Sequence, residues 1–542
     1  MTSRTLPRPH RTVALECVAL ACSVILLHRF SAFAEVFLVG GLTDDGVYTV
    51  LGKALAEGKG YHSLHLVGTP VQAKYPPGFP WILAMVWRAT GSVENVLRAV
   101  RWLHPVIVGL TAALLWGLGR ARWRLDRGPL LLLAVLPLAL DATIQYTAIP
   151  LAEPWFVLGW VCVLWAWEAA EVAPDDSRLP VLVLVGMLVA GTTLIRAQGI
   201  VLVPAVAAGL FLRRHTRAER AATFAAMLVP LAACQLYLRA LVRAGPVALL
   251  PDEGAYSTWL PRLGEQLPRS VLASVLDNVR DYLSSLGGYL AALRPLGAVI
   301  VALVMLGTVV AGLVFARRRP VISVSVLGSV AMLLLWPFSQ DRLLLAILPV
   351  GGMLLALALE PLTVMLPERG RRLLNMGSMV AVALILLRQM DIRRDSLDAV
   401  AQNHAPRVMS PTYGLLSNSR VIATASRWIR LHTAPDARIM IDMPAGIFLY
   451  TGRQTMPASP TESRFVRSEF AEPGRYLARH ILDDSLTMLI ILDHQPGIMA
   501  DAKAVKARCP GVLRWGGVNE DDPPDMYRIT PDANCLRRIA RQ

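Results

Sequence analysis

Thr43-Asp44-Asp45-Gly46-Val47-Tyr48, followed later in the same loop by Lys74-Tyr75-Pro76-Pro77-Gly78-Phe79-Pro80, comes directly after the first apolar segment of the chain, residues 13–31. Two adjacent carboxylates just outside a membrane face, with a lysine and a rigid Pro-Pro-Gly turn close in sequence, suit chemistry on a lipid-borne substrate. Bulk composition sets the class. Hydrophobic residues make up 54% of the 542 and charged ones only 17%, with a mean hydropathy of +0.48. Soluble domains rarely combine so large an apolar load with so few charges.

Runs of about 20 apolar residues, long enough to cross a bilayer, recur near 13–31, 98–118, 128–146, 150–167, 181–195, 199–212, 221–243, 295–316, 321–338, 343–366 and 373–390. The formal charge of +15 does not point to nucleic acid, because the excess arginine sits in short clusters between apolar runs. Arg120, Arg122, Arg124 and Arg127 follow the second run. Arg213, Arg214, Arg217 and Arg220 follow the sixth, Arg317 to Arg319 the eighth, and Arg369, Arg371 and Arg372 the tenth. With a cytoplasmic N-terminus all of them fall on one side, and the positive-inside rule is met by about eleven spans and an external C-terminus. The loop 168–180 is the exception, carrying Glu168, Glu171, Asp175 and Asp176 against Arg178. The fifth and sixth runs are short and read as tilted or partly re-entrant. Arg4, Arg8 and Arg11 before the first run, with Ala32-Phe33-Ala34 after it, fit a signal peptide. They also fit an uncleaved first span, the reading favoured because more spans follow. Either way Asp44 and Asp45 lie outside the cytoplasm.

The sequence thus describes a polytopic α-helical membrane protein. Residues 1–390 form a transmembrane module with external loops near 32–97 and 244–294, and 391–542 form a small extracytoplasmic α/β domain. Phe79 to Trp87 is too short to span and reads as an interfacial helix. In the C-terminal segment charge density rises. Residues 419–432 read as an N-capped helix, and 438–443 and 487–492 as short buried strands. Cys509 and Cys535 are the two cysteines of that segment and are available for one disulfide; their spacing leaves open whether they meet.

Asp44 and Asp45 are the candidate catalytic groups, with a capping pair for a helix over 47–57 as the bland alternative. Lys74 is a candidate anion contact or an interfacial snorkelling lysine. Glu153, at a span entry in Ile149-Pro150-Leu151-Ala152-Glu153-Pro154, is a carboxylate near hydrocarbon, where charge is costly and is paired or functional. Arg196, between the fifth and sixth runs, lies opposite the cytoplasmic clusters and needs a partner. Arg342 follows Asp341 in a short external turn and suits a lipid phosphate. His62 and His65 share a loop but lack a third ligand, so no metal site is assigned, though a divalent metal stays possible.

Taken together, Asp44-Asp45-Gly46-Val47-Tyr48, Tyr75-Pro76-Pro77-Gly78-Phe79-Pro80, Glu153-Pro154, Arg196-Ala197-Gln198-Gly199 and Arg342 with Leu348-Pro349 resemble the GT-C membrane glycosyltransferases that use polyprenyl-phosphate sugars. The resemblance is to the group of protein O-mannosyltransferases and lipid A aminoarabinose transferases, and it covers roughly residues 13–366. It implies an inverting transferase of the bacterial inner (plasma) membrane and cell envelope, N-terminus cytoplasmic, that moves a hexosyl or pentosyl group from a polyprenyl-phosphate sugar to a hydroxyl of a lipid, glycan or protein acceptor outside the cytoplasm. In that pattern the first acid, Asp44, is the base, with Asp45 the alternative. Lys74, Tyr75, Glu153, Arg196 and Arg342 are implied to bind substrate, and membrane lipid is a partner. Two other readings stand beside it: a transporter or flippase for a lipid-linked sugar, whose charges belong near the bilayer midplane, and a non-catalytic assembly protein, which would tolerate loss of Asp44 and Glu153.

Overall fold

The computed structural model describes residues 9–31, 37–244, 269–290, 294–336, 341–402, 404–407, 410–458, 472–491, 496–515 and 526–541. The Ala32-Phe33-Ala34 segment, most of the loop 244–294 and the side chain of Asp341 lie outside them. The chain divides into two compact units. One comprises 1–34, 99–235 and 271–413; the other comprises 35–98, 236–270 and 414–542.

The first unit is helical. It contains helices that are long and apolar enough to cross a membrane, from Thr12–Ser31 to Glu368–Gln402; eight such helices occur among the described residues of the chain, or nine if one bent pair counts as a span. This is a multi-pass membrane protein. Two shorter apolar helices, Ala197–Leu212 and Pro320–Leu335, fall where the sixth and ninth runs are expected. The bent pair, Arg127–Ala139 with Asp141–Thr147 at 45°, is the third run. A π-helical turn (Leu131–Val135) and a 3-10 turn that begins Leu136-Pro137 interrupt it. Proline supplies no N–H to the helical ladder, and such interruptions are the ordinary cause of a sharp bend.

Two expectations change here. The fifth run is not short: the helix spans Asp175–Ile195, 21 residues, because it starts inside the acidic loop, where Asp175 and Asp176 sit in its first turn and favour the positive end of the helix dipole. The acidic residues of that loop also explain the exception to the charge pattern. Glu168 takes both carboxylate oxygens to Arg319 at 2.8 Å. Glu171 lies 3.4 Å from Arg213, and Arg178 bridges Asp175 at 2.7 Å. The acids are counter-ions to the arginine clusters. The last long helix runs Glu368–Gln402, 35 residues, so residue 390 lies inside it.

The second unit joins the first long loop to the C-terminal segment. Its helices are α1 (Asp44–Ala56), α2 (Gly78–Thr90), α3 (Pro411–His432), α4 (Pro444–Thr451), α5 (Arg475–Asp483), α6 (Pro496–Arg508) and α7 (Ala533–Arg541). Strands β1 (Arg438–Ile441), β2 (Gln454–Pro457), β3 (Met488–Ile490), β4 (Leu513–Trp515) and β5 (Met526–Ile529) form one sheet in the order β2-β1-β3-β5-β4. β1 pairs in parallel with β2 and β3; β5 runs antiparallel to β3 and β4. Successive strand side chains point to opposite faces. Ile439, Ile441, Met488 and Ile490 therefore pack under Ile422, Trp428 and Ile429 of α3. Met440 and Leu489 pack on the other face with Leu66 of the first loop and Tyr476 and Ile481 of α5. Helix α3 starts at Pro411 rather than at Ser419. The Ser410 hydroxyl accepts the Tyr413 N–H at 3.3 Å, a cap followed by proline at the first helical position. Ser419 lies inside the helix.

Cys509 and Cys535 are disulfide-bonded, with Cα atoms 5.8 Å apart and a sequence separation of 26. They tie the end of α6 to α7. A loop of that length stabilises by roughly 3–4 kcal/mol through the restricted unfolded chain. Reduction, or a Cys509→Ser/Cys535→Ser pair, should lower the thermal midpoint of the C-terminal domain, and an unchanged melting curve would count against the bridge.

Candidate active site

Gly40 to Asp45 form a tight turn ahead of α1. The bland alternative to a catalytic role made Asp44 and Asp45 caps of a helix over 47–57. Instead Thr43 is the N-cap position, without a side-chain cap, and both acids lie in the first helical turn. Thr43 has φ 65° and ψ −62°, and the Asp44 N–H donates to the Leu42 carbonyl at 2.7 Å. That is a γ-turn, a strained conformation for a β-branched residue.

The two acids then diverge. Asp45 is fully buried. One of its oxygens accepts the Gly40 N–H at 2.6 Å and the other the Leu42 N–H at 3.0 Å, so its lone pairs close the turn. Asp44 is half-buried, and its carboxylate accepts the Tyr75 hydroxyl at 2.5 Å. Tyr75 is set by its packing: its ring lies edge-on to Tyr48 at 4.9 Å, and its carbonyl accepts the Tyr61 hydroxyl at 2.9 Å. Lys74 is half-buried, its ammonium 5.3 Å from the Tyr75 ring centre. Helix α2 follows the Pro-Pro-Gly turn with Trp81 and Met85 exposed. Thus Asp44, Asp45, Lys74 and Tyr75 come together in the second unit.

Burial pushes the Asp45 carboxyl up to about 6, against the three backbone N–H groups of Gly40, Leu42 and Gly46; the neighbouring Asp44 charge adds to the rise. Helix α4, which packs on this turn, brings no acid or charged base, only Tyr450. The folded chain therefore holds this proton more tightly than the unfolded chain does. The contribution of Asp45 to stability is greatest below its ordinary value of 3.8 and is lost as pH rises through about 6, amounting to roughly 3 kcal/mol. The difference in unfolding midpoint between Asp45→Asn and the unaltered chain should change in that pH window, measured by thermal unfolding of the detergent-solubilised protein at pH 5 and pH 7. A difference that is flat with pH would refute the assignment.

A second cluster belongs to the first unit. Glu153 opens the helix Glu153–Val172. Arg196 stands in extended conformation at the break after Ile195, and Arg342 is near the start of Asp341–Met365. All three are buried, 7–8% exposed. The Glu153 carboxylate lies 3.1 Å from Arg196 and 3.6 Å from Arg342, and Arg196 also donates to the Gln198 side chain at 2.8 Å. One carboxylate between two guanidinium groups leaves a net positive charge at the cluster. Glu153 and Arg342 line a small cavity with Thr111, Thr143, Tyr146 and Thr147.

Of the two loop histidines, His62 bonds the Thr69 carbonyl at 2.9 Å, while His65 is buried, which lowers its ring to about 3. Among the described residues no group of three His, Cys, Asp or Glu side chains could hold a metal ion, so no step is routed through one. The sequence reading missed Asp141, at the break in the bent pair. It is buried and accepts the Thr412 hydroxyl at 2.6 Å and the Gln145 amide at 3.0 Å. A lone Asp inside the third apolar run was the available signal.

The fold is similar to solved structures. Among solved structures, ArnT from Cupriavidus metallidurans in the apo state aligns with TM-score 0.53 and 12% identity over 96% of this chain and 99% of that one. The same protein bound to undecaprenyl phosphate aligns with TM-score 0.50 and 12% identity over 96% and 98%. The fold is that of the GT-C glycosyltransferases. The likeness holds for nearly the full length of both chains. The Archaeoglobus fulgidus oligosaccharyltransferase in its apo form aligns over 90% of this chain and 70% of that one, with 14% identity and TM-score 0.48. No family model and no curated protein matches the sequence.

Proposed function

We propose that this chain is a membrane glycosyltransferase that moves a sugar from a polyprenyl-phosphate donor to an acceptor hydroxyl on the extracytoplasmic side, with inversion at the anomeric carbon. The observation that carries the reading is the division of labour between the adjacent acids. Asp45 is consumed by backbone N–H groups, whereas Asp44 is half-buried and oriented by a tyrosine hydroxyl. Asp44 is then the general base. It takes the acceptor hydroxyl proton as the new C–O bond forms at the anomeric carbon. The bond from that carbon to the phosphate oxygen breaks, and the polyprenyl phosphate leaves with the electron pair. Phosphate is a good leaving group, so it needs cations rather than a general acid.

In the second unit Lys74, beside Tyr75, is a candidate for the phosphate charge; in the first unit Arg342 is the other candidate, and Glu153 holds Arg196 and Arg342 in place. Tyr75 orients the base through the hydrogen bond. The near full-length likeness to a protein crystallised with undecaprenyl phosphate supports a polyprenyl carrier. The test is transfer to acceptor hydroxyls from a panel of polyprenyl-phosphate sugars, in detergent-solubilised or inverted membranes. Transfer from at least one donor, with inverted product stereochemistry, is the expected result. Movement of lipid-linked sugar across the membrane without transfer would replace this reading with a flippase.

A further inference from the structure

Three glycines make the back of the catalytic turn. Gly40 adopts φ +101°, and a Cβ there would stand 2.3 Å from the Cα of Gly446 in α4. A Cβ on Gly446 would stand 3.0 Å from both the Gly40 Cα and the Val39 carbonyl oxygen; one on Gly46 would stand 2.9 Å from the Ala445 side chain. Two backbones thus meet with nothing but hydrogen between them. Polar contacts fasten the same segment on both sides. The Val39 N–H donates to the Tyr450 hydroxyl at 3.0 Å, the Leu38 N–H to the Ser419 hydroxyl at 2.9 Å, and the Asn418 amide to the Gly41 carbonyl at 2.7 Å. Helix α4 follows β1, the strand flanked in parallel by β2 and β3. The C-terminal end of such a strand, where the connections turn opposite ways, is where open α/β sheets present their binding crevice. Here Gly40 and Gly46 pack against the first turn of the helix that leaves β1.

We infer that the C-terminal α/β domain is the positioning element for Asp44: helices α3 and α4 clamp residues 38–46 and thereby hold Thr43 in its γ-turn, which aims the first residue of α1 at the acceptor. Strained backbone of this kind persists only where its surroundings over-determine it, and the clamp supplies that constraint from a part of the chain several hundred residues away. Gly446, Tyr450, Asn418 and Ser419 are positioning residues; none is a catalytic residue. The inference rests on the transferase reading above, and it gives the C-terminal domain a catalytic purpose independent of acceptor recognition.

The experiment uses the full-length protein in detergent with Thr43→Gly, Gly446→Ala and Tyr450→Phe. It follows kcat, donor KM, thermal midpoint and amide hydrogen exchange of the segment 37–46. Thr43→Gly takes the same φ of 65° without strain, so it should raise or maintain the midpoint; a lowered midpoint would overturn the strained turn. Gly446→Ala should speed exchange in 37–46 and lower kcat by about 100-fold, the scale at which a displacement of about 1 Å acts on a reacting group. Tyr450→Phe, which removes the acceptor of the Val39 N–H, should fold normally and show the same pattern more weakly; it keeps the test decisive if Gly446→Ala misfolds. Unchanged kcat in Gly446→Ala and Tyr450→Phe overturns the inference, as does a loss of activity that tracks the thermal midpoint. An unaltered protein that is silent with every donor, while exchange still accelerates in Gly446→Ala, sinks the transferase reading and leaves the clamp standing.

Discussion

Replacing Asp44 with Asn should lower sugar transfer by two to four orders of magnitude, the usual contribution of a positioned general base, of order 10²–10⁴-fold. Donor binding and thermal stability should change little. The substitution is nearly isosteric, and the carboxamide oxygen still accepts the Tyr75 hydroxyl that bonds Asp44 at 2.5 Å. What is lost is the capacity to take a proton. Asp45→Asn should behave differently. Its carboxylate accepts N–H groups from Gly40 on one oxygen and Leu42 on the other, and an amide offers a donor where one of those acceptors was. The turn loosens, so kcat falls together with a change in stability. Comparable loss in both variants without a stability difference would leave the base unassigned, and full activity in Asp44→Asn would remove it as the base.

The second large effect is on folding. Glu153→Ala should destabilise the helical unit by about 3–5 kcal/mol, because it strands two buried guanidinium groups without their counter-ion. Arg196 and Arg342 are both 7% exposed and both approach the same carboxylate. Glu153→Gln keeps shape and hydrogen-bonding capacity but not charge, and should fall between the two. Expression level and the thermal midpoint in detergent check this. A midpoint that does not move would mean the arginines do not depend on Glu153, and its proposed supporting role would go with it.

Much of the fold was legible in the sequence because a bilayer imposes a length and an apolar composition on each segment separately. Each apolar run corresponds to a helix, including the two too short to pass a spanning test on their own. The runs that were misjudged, such as the one extended to Asp175, differ at their ends, where capping and counter-ions decide rather than hydropathy. The strands 438–441 and 488–490 were legible for a similar reason: short apolar runs rich in Ile and Met, alternating between two covered faces. The candidate acids were legible because carboxylates are scarce beside hydrocarbon. The pairing of Glu153 with both Arg196 and Arg342 could be anticipated only as a need for partners.

What the sequence alone determined, then, is what acts locally: the number and place of apolar helices, the class of the C-terminal segment, and the short list of charges that must matter. Tertiary structure decided the different surroundings of the two neighbouring aspartates. Asp44 and Asp45 are chemically identical and adjacent, and no local rule separates them. The γ-turn at Thr43 turns one carboxylate back onto Gly40 and Leu42 and leaves the other facing Tyr75. That turn is held by Gly446, Tyr450 and Asn418, contacts between segments far apart in the chain. Such contacts depend on how two backbones approach in space, which composition and periodicity do not encode.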